Sequence, residues 1–386
     1  MSLRYALGRS LGKLEKPFEV YNHITVSRSA LLSNFDILRS LTPIKTIFPV
    51  LKANAYGHGL TEVATILKDR SFPYIAVDGF YESMAIHNVS KQPVLVMGAI
   101  KPSNFKQMSF KRLAFVVHDN DTVKALGATK RQVNVHVEID TGMTRHGVAA
   151  SDLPEFLDLL KKYPKIKVEG VMTHLADAEN IKTANFTNSQ AERFDAAVEI
   201  ILSNGFKPKH FHIAQSAGST KVHSKYANAL RIGIALYGVS PLDIKDKNYA
   251  LFKPLKPALA LTSTITKVVK VHAGTTVSYD RTFTAKEDTK IGVLPIGYYE
   301  GVSRSLSNVG LVQFKSEYLP IVGRVCMNHT MVDIGKSSAK VGDEVIIISS
   351  DRDSKVSADY LRQNFHQFNY GLLTALNPNI RRRIVA

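Results

Sequence analysis

Short apolar runs alternate with amphipathic segments along roughly the first 215 residues of the chain. The apolar runs have the length of buried strands and occupy residues 24–27, 46–52, 74–77, 94–97, 113–117, 133–139, 168–173 and 210–215. Apolar residues at helical spacing predict helices between most of them, over residues 30–41, 60–68, 80–88, 153–162 and 190–203. Strands alternating with helices in this way favour an α/β fold with a (β/α)8 TIM barrel, and an open doubly wound sheet is the alternative.

The pattern changes near Pro257, after which helices become scarce. Closely spaced strand-like runs with Gly-containing turns cover residues 262–271, 291–295, 309–314, 318–325, 330–334 and 344–348. They predict a mostly β C-terminal domain. We therefore expect a leader at residues 1–19 that packs on the β domain, a barrel at residues 20–255, and the β domain at residues 256–386.

Composition narrows the class of protein. Hydrophobic residues make up 45% and charged residues 22% of the 386 residues, which is typical of a globular protein. The net charge of +17 suggests polyanion binding, but the basic residues are scattered and the only compact run is Arg381-Arg382-Arg383. Binding of nucleic acid is therefore the least favoured function. No apolar run is long enough to span a membrane, and the single cysteine, Cys326, predicts a reducing, cytoplasmic location.

A lysine stands at the end of the second apolar run. Lys52 has mostly apolar or small neighbours, although Pro49 counts against a regular central strand because it has no N–H to donate. Burial among such neighbours would favour the neutral amine, which can act as a nucleophile or a base. A lysine that simply reaches solvent from a strand end is the alternative.

Polar residues also follow other predicted strands, at the ends where a barrel carries its functional groups. These are Asp140, Arg145, His174, His212 and Ser216. Further on, residues 231–238 form either a buried helix or strand or, with Gly233 and Ser216, a phosphate site. A nucleophilic lysine together with a phosphate site suggests pyridoxal phosphate. The sequence predicts no metal site, because it has no His-Glu-x-x-His motif and only one cysteine.

These residues belong to longer motifs that run in order from about residue 20 to the C-terminus. The motifs are VLKANAYGHG at 50–59, DTGMTR at 140–145, TH at 173–174, RIGIALYG at 231–238, VSY at 277–279, PIGY at 295–298, GRVCM at 323–327 and NY at 369–370. Their content and order resemble those of alanine racemases. The resemblance implies a pyridoxal-phosphate-dependent enzyme with a barrel and a β domain, active as a homodimer.

The resemblance also implies two catalytic bases. Lys52 would hold the cofactor covalently and act on the D-alanine face of Cα, and Tyr279 would act on the L-alanine face from the partner subunit. Racemisation removes a proton from one face and returns one to the other, so two opposed bases are the direct solution. The substrate would contact Arg145, Tyr298 and the backbone N–H of Met327, the last of these also across the dimer.

The same resemblance implies which residues bind the cofactor. Its phosphate would be bound by Tyr56, Ser216, Gly233, Ile234 and Tyr370. Arg231 would face the pyridine nitrogen with support from His212, and His174 would lie against the ring. Because arginine keeps its proton, the ring nitrogen would remain unprotonated, which would limit side reactions such as transamination.

Several positions depart from the family pattern. Glu138 stands where many members have a carbamylated lysine, and we hypothesise that its carboxylate orients Arg145 through a charge-assisted hydrogen bond. The other departures are Gln215, Asp280, Tyr299, Glu300 and Asn328. None of them removes a principal catalytic group, so we expect an active enzyme.

The leading hypothesis is a racemase that interconverts L-alanine and D-alanine and supplies D-alanine for peptidoglycan. A racemase of broader amino-acid specificity and a pyridoxal-phosphate-binding protein without turnover are the alternatives. A decarboxylase of the related barrel-plus-β-domain family is less favoured, since such enzymes use a partner-chain cysteine followed by an acidic residue, whereas Met327-Asn328 follows Cys326.

Overall fold

The computed structural model describes residues 18–182, 184–365 and 369–386. After β1 (Asn22–Ser27), eight parallel strands form a barrel: β2 (Thr46–Pro49), β3 (Ile75–Val77), β4 (Val94–Val96), β5 (Leu113–Val117), β6 (Val133–Glu138), β7 (Ile166–Met172), β8 (His210–His212) and β9 (Ala229–Ile232). Their order in the sheet is β2-β9-β8-β7-β6-β5-β4-β3. The sheet nearly closes on itself, because the Leu51 N–H beyond β2 donates to the Ala76 carbonyl of β3 at 2.9 Å. The predicted TIM barrel is confirmed.

The C-terminal part of the chain is built from three sheets. Its strands are β10 (Leu259–Thr264), β11 (Lys267–Val271), β12 (Thr276–Val277), β13 (Phe283–Thr284), β14 (Thr289–Leu294), β15 (Leu311–Phe314), β16 (Glu317–Pro320), β17 (Thr330–Asp333), β18 (Glu344–Ile348) and β19 (Arg381–Val385). The largest sheet has the order β16-β15-β18-β10-β1-β19, and the others are β11-β14-β17 and β12-β13. The mostly β C-terminal region is therefore also confirmed.

One strand was assigned to the wrong sheet by the sequence pattern. The run at residues 24–27 does not open the barrel; as β1 it pairs with β10 and β19 of the C-terminal sheet. The eighth barrel strand is β9, which lies in the stretch predicted as either helix or strand. In β1 the fully buried Ile24 and Val26 alternate with more exposed residues, whereas every residue of β9 is buried. Alternation is typical of a sheet with one solvated face, and continuous burial is typical of a parallel barrel.

Aromatic and histidine side chains fill the inside of the barrel. The Phe48 ring lies 5.0 Å from the His212 ring and 5.7 Å from the Tyr74 ring, measured between centroids. The outer faces of the strands pack against helices Arg28–Leu41, Leu60–Leu67, Phe80–His87, Asn120–Ala128, Leu153–Lys161 and Ala184–Ser203. Pro49 fits at the end of β2 because the next residue, Val50, supplies the N–H that bonds to Ile232 at 2.8 Å.

Two of these outer barrel helices differ from the sequence prediction. Ala184–Ser203 begins before residues 188–189, which were expected to precede it, since the Ser189 hydroxyl bonds back to the Phe186 carbonyl at 2.8 Å inside the helix. Asn120–Ala128 was not predicted, although Asp119 caps it by accepting the Thr122 N–H at 2.7 Å.

The C-terminal part is fastened to the barrel by side chains and by a helix. The Arg352 guanidinium donates to the Gly238 and Leu255 carbonyls, each at 2.7 Å. Helices Ala358–Phe365 and Asn369–Thr374 follow, and the second carries Tyr370 to the mouth of the barrel. The expected leader falls almost wholly on residues 1–17, outside the described part. Within that part, no helix combines the length and apolar character needed to cross a membrane.

Candidate active site

The backbone changes hand directly after Lys52. Ala53, Asn54, Ala55 and Tyr56 have φ values between +52° and +55°, so they form one turn of left-handed helix. This conformation costs about 1–2 kcal/mol for each residue other than glycine. Small side chains permit such a turn but do not require it, so it has to be held in place by its surroundings.

The carboxylate of Glu82 and the side-chain amide of Asn54 hold this turn. Glu82 Oε1 accepts the Ala53 N–H at 2.8 Å, and its Oε2 accepts the N–H groups of Asp78 and Gly79 at 2.9 and 3.0 Å. Asn54 Oδ1 accepts the N–H of Leu60, the first residue of the next helix, at 2.8 Å. The turn therefore presents Lys52 and Tyr56 from a strained segment that these hydrogen bonds hold in place.

A cavity of about 610 Å³ lies at this end of the barrel. Ten of the predicted site residues line it: Lys52, Tyr56, Glu138, Arg145, His174, Ser216, Arg231, Gly233, Ile234 and Tyr370. His212 lies behind Arg231, outside the cavity wall. Tyr279, Tyr298 and Met327 are not among the described residues that line the cavity of the same chain.

One end of the cavity is suited to an anion. The Ser216 hydroxyl accepts the N–H of Gly233 at 3.1 Å and that of Ala235 at 3.4 Å. A Cβ atom on Gly233 would overlap the Tyr56 hydroxyl, so any other residue there would force the Tyr56 side chain to shift. Burial raises the pKa of Tyr56 and of Tyr370, and Glu179 raises the pKa of Tyr370 further. Both hydroxyls therefore keep their protons; Tyr56 can donate its proton to an anion, whereas Tyr370 donates its own to Glu179 at 2.9 Å.

Arg231 supplies a buried cation on β9. One guanidinium nitrogen, Nη2, donates to the Thr173 carbonyl at 2.6 Å, and Nη1 donates to the His212 carbonyl and lies 2.9 Å from His212 Nδ1. Burial lowers the pKa of Arg231 to about 10, opposed by the charge of Glu138. Arg231 therefore stays protonated at neutral pH.

A histidine chain extends inward from Arg231. Because Arg231 can only donate, His212 Nδ1 accepts and its Nε2 carries the proton. That Nε2 lies 2.7 Å from Nδ1 of His136, which therefore also accepts. Burial lowers the pKa of His136 to about 3 and that of His212 well below its usual value, so both are neutral. His136 was missed, although its alternation with Glu138 on β6 marks both as facing the barrel interior.

His174 is also neutral. Burial lowers its pKa to about 3, and the charges of Arg231, Arg145 and Lys52 act in the same direction. Its Nδ1 lies 3.4 Å from Arg231 Nη2. A neutral imidazole can pack against a planar ring without adding a further cation to the cavity.

The hydrogen bond hypothesised between Glu138 and Arg145 is not formed among the described residues. Glu138 is buried in the cavity wall, and its Oε2 lies 3.8 Å from Nδ1 of His118. Arg145 lies on an exposed loop shaped by Asp140, whose Oδ1 accepts the Gly142, Met143 and Thr144 N–H groups at 2.9, 3.0 and 3.1 Å. Asp140 therefore forms the loop rather than the cavity wall.

Three other predicted residues lie exposed on the C-terminal part. The exposed fraction is 68% for Tyr279, 43% for Tyr298 and 55% for Met327. Tyr299, at a departure from the family pattern, is also 57% exposed. Such a group of large apolar side chains is unusual for a free surface and typical of an interaction site.

Two departures from the family pattern contact each other, and a third faces the cavity. Glu300 Oε1 accepts from the Asn328 amide at 2.7 Å, and its Oε2 accepts the Gly297 N–H at 2.8 Å. Gln215 lines the cavity, and its Oε1 is buried without a hydrogen-bond partner in the described residues. The sequence showed these residues but not the pairing of Glu300 with Asn328.

Glu179 is a cavity residue that the sequence reading missed. It accepts a hydrogen bond from the Tyr370 hydroxyl at 2.9 Å. Its position after β7, five residues beyond His174, is the signal that could have found it, because barrel loops carry functional groups at these strand ends.

The cavity suits a cofactor with an aldehyde, an aromatic ring and a phosphate. The Lys52 amine, the anion site at Ser216 and Gly233, and the buried Arg231 guanidinium all line it. Gln215 also lines the cavity, and its Oε1 is buried without a hydrogen-bond partner among the described residues. Among the described residues, no group of three or more His, Cys, Asp or Glu side chains is placed to hold a metal ion. These residues therefore fit pyridoxal phosphate.

Comparison with known proteins identifies relatives over nearly the whole chain. The model of the alanine racemase N-terminal domain matches residues 26–241, and that of the C-terminal domain matches residues 258–384. The alanine racemase of Staphylococcus saprophyticus is 32% identical over 368 residues, 93% of this chain and 94% of that protein.

Solved structures show the same fold. The alanine racemase of Clostridium difficile 630 has a TM-score of 0.87 and 29% identity, covering 96% of this chain and 97% of its own. That of Bartonella henselae, solved with covalently bound pyridoxal phosphate, has a TM-score of 0.81 and 22% identity, covering 95% of this chain and 100% of its own.

Proposed function

Because the chain belongs to the alanine racemase family, we propose that it interconverts L-alanine and D-alanine with pyridoxal 5'-phosphate as its cofactor. The observation that carries the proposal is the joint presence of Lys52, the Ser216–Gly233 anion site and Arg231 in one cavity. Those groups are what a lysine-bound, phosphate-carrying cofactor requires.

The cofactor would be held at three points. Lys52 would bind it covalently, and its phosphate would be bound by Tyr56, Ser216, Gly233, Ile234 and Tyr370. Arg231 would lie at the ring nitrogen, with His212 behind it and His174 against the ring. When bound, pyridoxal phosphate makes the Cα proton of an amino acid acidic by withdrawing electrons from Cα.

Two side chains would move the proton. Lys52 Nζ would take or return it on the D-alanine face, and the Tyr279 hydroxyl oxygen would do so on the L-alanine face. Arg231 would keep its own proton, since its pKa of about 10 lies well above neutral pH. It would thereby limit electron withdrawal and restrain side reactions.

The substrate carboxylate would be bound by Arg145 and by the Met327 N–H, with Tyr298 beside it. Glu138 would supply a negative charge in the cavity wall that offsets the guanidinium groups of Arg231 and Arg145, since its charge already favours protonated Arg231. Activity independent of added bicarbonate, and badly impaired in Glu138→Ala, would support this role; an unimpaired variant would contradict it.

The second base would come from another copy of the chain. Tyr279, Tyr298 and Met327 are exposed and do not line the cavity of their own chain. In a homodimer these residues would close the cavity of the partner subunit, and each active site would be shared. The barrel domain would span residues 20–255 and the β domain residues 256–386. Within the first range, β1 is the exception, because it pairs in the six-stranded C-terminal sheet.

The proposed setting is a cytoplasmic enzyme that supplies D-alanine for peptidoglycan. A racemase of broader amino-acid specificity is the second candidate, because Tyr298 and Met327, which would border the substrate, do not line the cavity of their own chain. A panel of L-amino acids in a chiral assay separates the two: turnover of alanine alone favours the first.

The test uses purified protein reconstituted with pyridoxal phosphate. The wild type should be yellow and should interconvert L- and D-alanine in a coupled chiral assay. Lys52→Ala should lose both colour and activity, whereas Lys101→Ala, at an exposed position, should keep both. Robust racemisation without Lys52 would defeat the proposal.

A second variant tests the shared site. Tyr279→Phe should keep the cofactor and slow racemisation by about a hundredfold or more, since general base catalysis is worth that much. Mixing inactive Lys52→Ala with the slow Tyr279→Phe should raise the activity above that of either variant if sites are shared, because one of the two sites of a mixed dimer would then contain both bases. No recovery after subunit exchange would contradict a shared site.

A further inference from the structure

Tyr279 lies in a turn whose backbone is strained on both sides. Ser278 has φ +69° and ψ −174°, and Asp280 and Arg281 have φ values of +60° and +54°. Ser278 thus adopts a conformation that is otherwise almost restricted to glycine. Asp280 stands where the family usually has glycine, so this chain holds the turn without the residue that would adopt it most easily.

A single residue binds both neighbours of Tyr279. The Ser278 hydroxyl donates to the backbone carbonyl of Arg324 at 2.7 Å. On the other side, Arg324 Nε lies 3.2 Å from the Asp280 carboxylate, as an ion pair without hydrogen-bond geometry. Arg324 therefore contacts the chain before and after the proposed base.

The backbone beside Arg324 is itself in close contact with this turn. A Cβ atom on Gly323 would lie 2.6 Å from Ser278 Cβ and 2.7 Å from the Val277 carbonyl oxygen. The Gly323 N–H donates to Asn308 Oδ1 at 2.6 Å, and the Asn308 amide donates to the Thr282 hydroxyl at 3.0 Å. The turn and the Gly323–Arg324 segment therefore form one unit, which continues to Met327.

The ion pair also has an electrostatic consequence. An uncompensated carboxylate on the residue next to Tyr279 would disfavour a negatively charged phenol oxygen, and the Arg324 guanidinium offsets that charge. The pair is partly exposed, with 41% of the Arg324 and 61% of the Asp280 side chain accessible, so its contribution to global stability is small. Its effect is expected on position and charge at Tyr279.

From these contacts we propose that Arg324 is a positioning residue for Tyr279, and that the Asp280–Arg324 ion pair replaces the conformational freedom of a glycine at position 280. The inference rests on the proposed function, in which Tyr279 acts on the L-alanine face. The Arg324 side chain orients the base through Asp280, while the Arg324 backbone carbonyl holds Ser278; the residue does not itself touch the reacting atoms.

A double-mutant cycle in the reconstituted enzyme tests the pair. Arg324→Gln should lower kcat by about tenfold or more with a smaller change in KM, because misplacement of a catalytic group acts on the chemical step. Asp280→Asn should lower kcat in the same direction, because it removes the same ion pair, although asparagine still tolerates positive φ. The double variant should be no slower than Arg324→Gln alone, because both single substitutions remove one and the same interaction. Effects of the two substitutions that simply multiply would overturn the proposal.

Isotope effects separate a positioning role from general damage. In Arg324→Gln the α-deuterium isotope effect on kcat should rise for L-alanine, whose proton Tyr279 removes, and not for D-alanine. Equal changes for both substrates would mean that Arg324 does not act through Tyr279. Arg383→Gln, at an exposed position on β19, is the matched control and should change neither value.

Hydrogen exchange supplies a readout that does not depend on turnover. Residues 276–284 should exchange faster in Arg324→Gln than in the wild type, while β10 should be unchanged. If the variant exchanges faster but the wild type does not racemise alanine, the proposed function would be wrong while the Arg324 contact would still stand. An active wild type with no difference in exchange or isotope effect would defeat the positioning role alone.

Discussion

The Tyr56 hydroxyl lies directly over Gly233, so close that a Cβ atom on Gly233 would overlap it. Tyr56 comes from the left-handed turn after β2 and Gly233 from the residue after β9. The two strands are hydrogen-bonded neighbours in the barrel, although some 180 residues separate these positions in the chain. Their contact forms the floor of the proposed phosphate site.

Gly233→Ala should weaken cofactor binding by about tenfold or more. The added methyl group would force Tyr56 to shift, and overpacking of this kind costs about 1–3 kcal/mol. Cofactor retention during dialysis, followed by absorbance, measures the effect. Gly79→Ala is the matched control, since nothing lies within 4 Å of a Cβ atom there. Equal retention in both variants would contradict a tight floor.

Glu82→Gln should destabilise the left-handed turn by about 1–3 kcal/mol, the usual range for hydrogen bonds to a charged group. The Glu82 carboxylate accepts three backbone N–H groups, including that of Ala53 beside Lys52. Urea unfolding measures the loss, and slower capture of the cofactor should accompany it. Glu317→Gln, at an exposed strand position, should leave both unchanged.

The free energy of unfolding should fall in mild acid because of buried neutral histidines. Burial lowers the pKa of His58 to about 4 and that of His136 to about 3, whereas an unfolded histidine titrates near 6.5. Below about pH 6.5 the unfolded chain therefore binds more protons, and at pH 5.5 each such histidine costs about 1.4 kcal/mol. Above pH 6.5 this contribution to stability is fully present.

Urea unfolding at pH 7.5 and pH 5.5 measures this loss. His58→Gln should reduce the difference between the two pH values, because residue 58 then no longer titrates. His223→Gln, at an exposed position, should retain the wild-type difference. The same pH dependence in both variants would show that His58 makes no contribution.

Asn328→Asp should impair the protein even though it introduces the residue usual in the family. The Asn328 amide donates to Glu300 at 2.7 Å, so an aspartate would place two carboxylates together. Near a protein surface this repulsion costs about 1 kcal/mol or more. A lower free energy of unfolding and a higher KM for alanine are expected, since Asn328 adjoins Met327. Adding Glu300→Gln should reverse both changes, and failure to do so would rule out charge repulsion as the cause.

The sequence pattern was informative where an apolar run ends at polar residues on both sides. Leu113–Val117 and Glu344–Ile348 were predicted with the bounds that the structure has. The pattern failed at residues 24–27, because a short apolar run does not reveal which sheet it joins. The strands on either side of β1 in that sheet, β10 and β19, lie more than 200 residues away in the chain.

Site residues were predictable when they stand in long motifs and not when they act through packing. Lys52, Arg231 and Gly233 stand in such motifs, and the structure brings all three to one cavity. His136 and Glu179 stand in none of the motifs, and only their contacts with His212 and Tyr370 draw attention to them. The sequence also suggested a hydrogen bond between Glu138 and Arg145 that the described residues do not form. Opposite charges in the sequence do not by themselves show that two side chains meet.

The sequence by itself determined the chemical groups and their order: a lysine at a strand end, a glycine where a phosphate is expected, and an arginine that keeps its proton. The tertiary structure alone decided which hand the backbone takes after Lys52, how Arg231 and the histidines share protons, and which residues hold Tyr279. The reason is physical. Residue types fix what each group can donate or accept, whereas positive φ values, burial and long-range ion pairs depend on neighbours that the fold brings from distant parts of the chain.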